Sequence, residues 1–363
     1  MTALHFRALA LTLGLGLLAA APARAQTGSG AGTAYVSNQG GDVSVIDLAT
    51  MKVTGTIDAY GEEPRGIGVT ADGRWLVVAN REGGRIAIID RASGKLVRHV
   101  AIGKNPEFVR VRGKLAFVSF EPTSTGKPPP KPGSPEAARQ AAEAEAEADD
   151  DKNELPARVA IVDLERGKLL RSIKGGMETE GIEFSTDGKH ILVTNEEDDT
   201  VTVHNIASGK LVKTIKTGDR PRGIKRAPDG KHYVATIEHG NEFVVIDAKY
   251  KVVKTVKTGE YPYGVAFDRS GERLFVANGR SKTLQVFDTK TWAPIKEVPT
   301  GNRCWHFSFT PDDKQILVAC GRSDEVVVID AATLEPTQRI TGKTLPWGVV
   351  TYPKSMGSLD HPE

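Results

Sequence analysis

The 363-residue chain lacks most of the marks by which an enzyme, a metalloprotein or a membrane protein is recognised. It has only two cysteines and eight scattered histidines, with no CxxCH haem attachment and no HExxH zinc pair. It has neither a GxSxG elbow nor a Walker-type loop, so no recognised nucleophile or phosphate cradle supports catalysis. Haem bound through other ligands is left open by this pattern; no cofactor and no metal is assigned. Beyond the first 25 residues no apolar run approaches the about 20 residues that cross a bilayer. An excess of one charge is also missing: 48 Lys and Arg face 46 Asp and Glu, and without Arg7 and Arg24 the numbers are equal.

Residues 1–25 have the composition of an export signal. Arg7 lies in a short basic region, an apolar run extends from Ala8 to Ala21, and Ala23-Arg24-Ala25 forms a small-x-small cleavage site. The alternative, a retained N-terminal anchor, is disfavoured by the shortness of the run. A mature protein in the periplasm or secreted is expected, without a membrane span, and residues 26–33 are expected to be a flexible tail.

What the chain has in abundance is repetition. A short β-rich run recurs seven times, as AYVSN ending at Asn38, LVVAN at Asn80, AFVSF at Phe120, ILVTN at Asn195, YVATI at Ile237, LFVAN at Asn278 and ILVAC at Cys320. The run that follows ends at Asp47, Asp90, Asp163, Asn205, Asp247, Asp288 and Asp330, at intervals of 43, 73, 42, 42, 41 and 42 residues. A period of about 40 residues is that of a four-stranded propeller blade, and one interval carries an insertion of roughly thirty residues. The expected fold is all-β, a single seven-bladed propeller over residues 34–353. Continuous runs such as FVVID and VVVID agree with sheets buried on both faces. The chain begins with a second-strand run, whereas Leu345-Pro346-Trp347-Gly348-Val349-Val350 matches a first strand and has no second strand after it. The two ends are therefore expected to pair within one blade, removing an exposed edge. Residues 354–363 are left as a C-terminal tail.

The runs YVSN, VVAN, LVTN and FVAN give the chain a close resemblance to the YVTN-repeat β-propeller family, over residues 34 to about 353. That resemblance is specific for fold and weakly specific for function, because such propellers serve as binding platforms and as enzymes. The last blade, CWHFSFTPDDKQILVACGRSDEVVVIDAATLE followed by LPWGVV, also resembles propellers associated with bacterial quinoprotein alcohol oxidation.

The insertion spans residues 121–157. A proline-rich stretch from Pro128 to Pro135 favours extended polyproline geometry, and PEAARQAAEAEAEADDD then suits a short solvated helix or disorder, with Ser134 as N-cap. Nine acids there face four bases, which leaves a mild basic balance on the propeller body. A tolerated surface appendage is the plainest expectation.

Aligning the repeats on their Pro-x-Gly element places one residue per blade at the mouth of the central channel: Arg65, Glu107, Glu180, Arg222, Tyr263, Trp305 and Trp347. His306 stands where Gly66, Gly223, Gly264 and Gly348 stand in other blades, and Arg81, Arg220, Arg280, Arg303 and Arg322 lie in loops on the same side. Divergence at equivalent positions of a regular repeat points to a ligand site. The competing explanation is that these side chains only plug the channel or face water. The nine residues Arg65, Glu107, Glu180, Arg222, Tyr263, Arg303, Trp305, His306 and Trp347 are the candidates for binding a planar anion or a protein partner.

The aspartates ending the third runs have a structural explanation, since each precedes a turn whose free amides a short acceptor satisfies. The Thr/Ser-x-Asp-Gly turns are likewise hairpin chemistry, without the ligands of a calcium loop. Cys304 and Cys320 are the only cysteines, and pairing the hairpin about Asp312 sets them opposite each other. The same register aligns Pro64 with Asn80, Pro262 with Asn278 and Pro346 with Asn38. Directly opposed residues have Cα atoms about 4.5 to 5.5 Å apart, so a disulfide is expected in an oxidising compartment, with buried free thiols as the alternative. The leading function is a periplasmic binding or scaffold propeller, linked by resemblance to a quinoprotein oxidation system. A propeller enzyme, lactonase-like or cofactor-dependent, is the alternative from a second class. Single-stranded nucleic acid binding, which needs a contiguous basic and aromatic groove, is a third.

Overall fold

A computed structural model of the chain describes residues 32–122 and 155–361. The expected export signal and most of the insertion lie outside these residues. Seven four-stranded antiparallel sheets form the described part, each ordered from an innermost to an outermost strand. Blade 1 combines the final strand, Pro346–Tyr352, with Thr33–Asn38, Asp42–Asp47 and Lys52–Asp58; blades 2 to 7 follow in chain order. The fold is thus the expected seven-bladed propeller, and its seam is closed by the pairing of the first and last strands, Tyr35 opposite Val350.

Burial follows strand position. Second and third strands such as Trp75–Glu82 and Arg85–Asp90 are covered on both faces by neighbouring blades, which is why their apolar residues run consecutively and do not alternate with polar ones. Outermost strands such as Leu211–Lys216 bury one residue, here Ile215, and leave the rest to water. The turns are closed as anticipated. Asp90 Oδ1 accepts the amide of Ser93 at 2.9 Å and Asp288 Oδ1 that of Thr291 at 2.7 Å. In the hairpin turns, Asp72 Oδ1 accepts the Arg74 amide at 2.9 Å and the Thr70 hydroxyl at 2.6 Å.

The hairpin register is also the expected one. Pro64 opposes Asn80, Pro262 opposes Asn278, and Cys304 opposes Cys320. The two cysteines form a disulfide with Cα atoms 3.8 Å apart, closer than anticipated, at a point where the register shifts between Cys304 and Phe307. Closing a loop of this length contributes on the order of 3 kcal/mol in the chain-entropy model.

Two outcomes are expected. Denatured, unreduced protein should titrate no free thiol; two titratable thiols would remove the crosslink. A chain ending at Leu345, lacking the innermost strand of blade 1, should lose its cooperative thermal transition by circular dichroism, because the ring then exposes a second strand along its whole length. An unchanged transition would show that the ring does not need this closure.

Candidate functional site

The residue entering each innermost strand bends the chain over the axis. Glu63, Asn105, Glu178, Arg220, Tyr261, Arg303 and Leu345 all have φ between +47° and +65°. Left-handed backbone costs a non-glycine residue on the order of 1 kcal/mol or more, so the turn is held there by the strands on either side. The candidate mouth residues follow two positions later in each blade. All nine candidates lie on this side and all are largely buried.

The structure brings the candidates into two groups. On one side Arg222 is enclosed by carboxylates: its Nη1 donates to Glu180 Oε2 at 2.7 Å and to Glu196, and its Nε donates to Glu238 Oε2 at 2.5 Å. Arg220 Nη2 adds contacts of 2.7 Å to Glu196 and 3.1 Å to Glu178, and Arg303 Nη2 lies 3.1 Å from Glu238. The Tyr263 hydroxyl donates to Glu180 Oε1, and its ring lies 5.0 Å from the Arg222 guanidinium carbon. Across blades 2 and 3, Arg65 pairs with Glu107 and its Nε donates to Gln39 Oε1 at 3.2 Å. Both mouth arginines are therefore neutralised by neighbours in the protein itself.

This packing sets the protonation states. Desolvation pushes the Glu180 carboxyl up, but Arg222, Glu196 and Tyr263 outweigh it and hold Glu180 down to about 2. Glu196 is driven well above the usual carboxylate range, first by burial and also by the charge on Glu180. Two carboxyl groups around one guanidinium thus differ strongly in proton affinity.

Below the charged ring the channel is filled by rings. His306 in blade 7 meets Phe108 in blade 3 across the axis, with centroids 5.9 Å apart, and packs on Trp347 at 4.3 Å and Tyr263 at 5.4 Å. The five remaining blades carry glycine at this level because there is no room: a Cβ on Gly264 would stand 2.3 Å from the Trp305 carbonyl oxygen. Trp305 itself lies over Gly321, where a Cβ would stand 1.8 Å from its indole. His306 Nδ1 is 3.0 Å from Ser358 Oγ, while Nε2 has no partner among the described residues.

Further down, the C-terminal segment enters the channel. Lys225 Nζ donates to the Gly357 carbonyl at 2.6 Å and to that of Asp360, and Arg110 Nη1 also donates to Asp360. Arg110 Nε reaches the Ile182 carbonyl at 2.9 Å, and Glu183 Oε1 lies 3.1 Å from His361 Nδ1. Ser308 Oγ donates to Asp360 Oδ2 at 3.1 Å. Burial, with Arg110 nearby, lowers the Lys225 ammonium to about 7.

Two sets of residues were missed in the sequence. One is the position after each second strand, where only Arg81 was named on this side and the others are Gln39, Glu121, Glu196, Glu238, Gly279 and Gly321. The other is the channel position of Arg110, Glu183, Lys225 and Ser308, where blades 2, 6 and 1 have Gly68, Ala266 and Val350. Aligning these positions as was done for the mouth shows the same divergence, so the signal was present. Among the described residues no group of His, Cys, Asp or Glu converges as a metal site, and no helix is long and apolar enough to cross a membrane.

Acid sensitivity follows from His306. Burial lowers its imidazole to about 3, against 6.5 for the free group, so as pH falls the unfolded chain takes up the proton first. Stability from this residue is complete above pH 6.5 and is lost towards pH 3, by about 1 kcal/mol per pH unit. His306→Gln should flatten the fall in melting temperature between about pH 6.5 and 4.5, above the range where unperturbed carboxylates titrate. An unchanged slope would mean that His306 is protonated in the folded state.

The same architecture recurs in known proteins. A hydrazine synthase of Kuenenia stuttgartiensis is 22% identical, with a TM-score of 0.66, covering 83% of this chain and 92% of that one. A periplasmic gluconolactonase of Pseudomonas aeruginosa is 16% identical, with a TM-score of 0.68, over 88% of this chain and 99% of that one. A dihydro-heme d1 dehydrogenase is 17% identical, with a TM-score of 0.62, over 87% and 74%. At these identities the likeness is one of fold. No curated protein sequence matches significantly. The model of the YNCE-like β-propellers, however, matches residues 19–114 and 266–356, just over half of the chain, and the protein belongs to that family.

Proposed function

We propose that this protein is a periplasmic binding propeller that presents its channel mouth to a ligand or protein partner, as an accessory of a quinoprotein oxidation system. The observation that carries this reading is the contrast between blades that repeat and a mouth that does not. Seven equivalent positions hold two arginines, two glutamates and three aromatics, locked in place by mutual contacts. Such a rigid, varied surface suits recognition, since little side-chain entropy is left to lose on binding. The channel is filled below the mouth, so a ligand reaching it would stop there.

The rim offers the contact groups. The Arg280 and Arg303 guanidinium carbons lie 5.3 and 5.6 Å from the Tyr261 ring, and Arg280 is largely exposed. Arginine beside an aromatic ring is a common anchor for planar anions and for partner surfaces. The periplasmic location is supported by the Cys304–Cys320 disulfide and by the apolar segment near the N-terminus.

One observation favours a second reading, a lactonase-like hydrolase. Glu180 and Glu196 are neighbours pushed to opposite protonation states, as a general base and a general acid would be. Against it, both are already engaged by Arg222.

Two assays separate the readings. Titration with a planar anionic quinone such as pyrroloquinoline quinone should quench the fluorescence of Trp305 and Trp347 saturably. Trp305→Leu, in protein that circular dichroism shows to be still folded, should weaken this at least about tenfold, or about 1.4 kcal/mol. Absence of saturable quenching up to about 1 mM would count against a small planar ligand. Hydrolysis of gluconolactone above the buffer rate, lost in Glu196→Gln, would transfer the assignment to the enzyme.

A further inference from the structure

The loops of the mouth face share a plan, and blades 1 and 2 depart from it, with Gly41 and Gly84 before their third strands; of the two, Gly84 keeps the backbone path of the other blades while Gly41, at φ +120°, does not. In each blade the turn between the second and third strands lies beside the loop that leaves for the next blade. Where both are described, a side chain of the turn commonly accepts the amide of the left-handed residue in that loop. Arg220 N donates to Asp199 Oδ1 at 3.0 Å, Tyr261 N to Asn241 Oδ1 at 2.9 Å, and Leu345 N to Asp324 Oδ1 at 3.0 Å. In blade 6 a backbone carbonyl does the same, Arg303 N donating to Gly279 at 2.9 Å.

The corresponding residue of blade 2 is Gly84, preceded by Gly83. Its φ of +61° matches the +57°, +50° and +53° of Asp199, Asn241 and Asp324, so the backbone takes the same path without a side-chain acceptor. The amide it would satisfy belongs to Asn105, which is buried and has no acceptor among the described residues. A cavity of about 550 Å³ stands there instead, bordered by both glycines, Gly103, Lys104, Asn105 and Arg81.

The cavity is lined with donors. Arg81 is buried, with Nε held by Asn105 Oδ1 at 2.6 Å and Nη1 3.4 Å from Glu63 Oε2. Lys104 is exposed and makes no ion pair with a described residue. Behind the lining, Arg85 Nε is buried with no partner among the described residues, 3.6 Å from the point where a Cβ on Gly83 would stand. Two carboxylates also border the space: Glu63, which Arg81 engages, and the exposed Glu82.

We propose that this cavity binds a carboxylate, the acid group of the ligand taking the place that Asp199 and Asp324 fill in blades 4 and 7. A missing acceptor, an unanswered buried amide and converging cations define the chemistry, and the volume suits a small organic acid. The same chemistry is available from two sources. One is a soluble acid; the other is an acidic side chain of the insertion, which leaves blade 3 next to Glu121.

Calorimetric titration of the full chain with succinate tests the site and distinguishes the sources. The second arm is the full chain with Glu143, Glu145, Glu147, Asp149, Asp150 and Asp151 changed to amides. Saturable binding in the unchanged chain assigns the site to a soluble acid; binding only in the amide variant assigns it to the chain's own acids. In whichever chain binds, Lys104→Glu should weaken affinity at least about tenfold, whereas Lys343→Glu, at the junction already served by Asp324, should leave it unchanged. Gly84→Asp should abolish binding by supplying the acceptor, but its Cβ would stand 2.7 Å from the Gly103 carbonyl oxygen, so Lys104→Glu is the variant that does not depend on a backbone shift. No saturable binding in either chain up to about 10 mM, or binding indifferent to Lys104→Glu, overturns the proposal.

Discussion

Seven innermost strands converge on one axis, and the space they enclose is too narrow for their side chains to reach bulk water. Everything at the centre of this propeller follows from that constraint. A side chain pointing inward must be absent, apolar, or satisfied by another blade. The chain uses all three solutions at successive levels: charged pairs at the mouth, rings and glycines in the middle, and cations bound to the carbonyls of the C-terminal segment below.

The charged level also shows why burial and function need not coincide. Arg222 is surrounded by Glu180, Glu196 and Glu238, and removing Arg222 would leave buried carboxylates in a medium that solvates them poorly. Paired groups of this kind hold the geometry of the mouth but contribute little net field to an approaching anion. Attraction at a distance must then come from charges further out, such as the largely exposed Arg280.

The fold was legible because repetition turns a weak local signal into a strong one. Seven copies of a YVTN-like run at nearly constant spacing specify blade number, and the incomplete repeats at the two ends specify the seam. Register was legible as well, since Pro64 with Asn80 and Pro262 with Asn278 share one hairpin geometry with the two cysteines. The site was legible only in part. Position in the repeat singles out the candidates, but their partners depend on side-chain reach across blades, which no spacing encodes. Arg222 and Glu238 are 16 residues apart on adjacent strands, whereas Tyr263 and Glu180 are separated by 83. The docking of the C-terminal segment was hidden for a similar reason: Lys225 and Gly357 are 132 residues apart, and the segment has no repeat of its own to align.

Repetition therefore serves as a reference against which departures acquire meaning. An aspartate at one loop position is unremarked in blade 4 because its role is visible, the capping of the Arg220 amide. The same reference makes Gly84 informative, because the amide it leaves unanswered is satisfied at the equivalent places in blades 4, 5 and 7. In a fold without repeats, a glycine beside a cavity would have no such standard of comparison. The physical content lies in the difference between chemically equivalent positions, and that difference separates residues that build blades from residues that make this propeller unlike its neighbours.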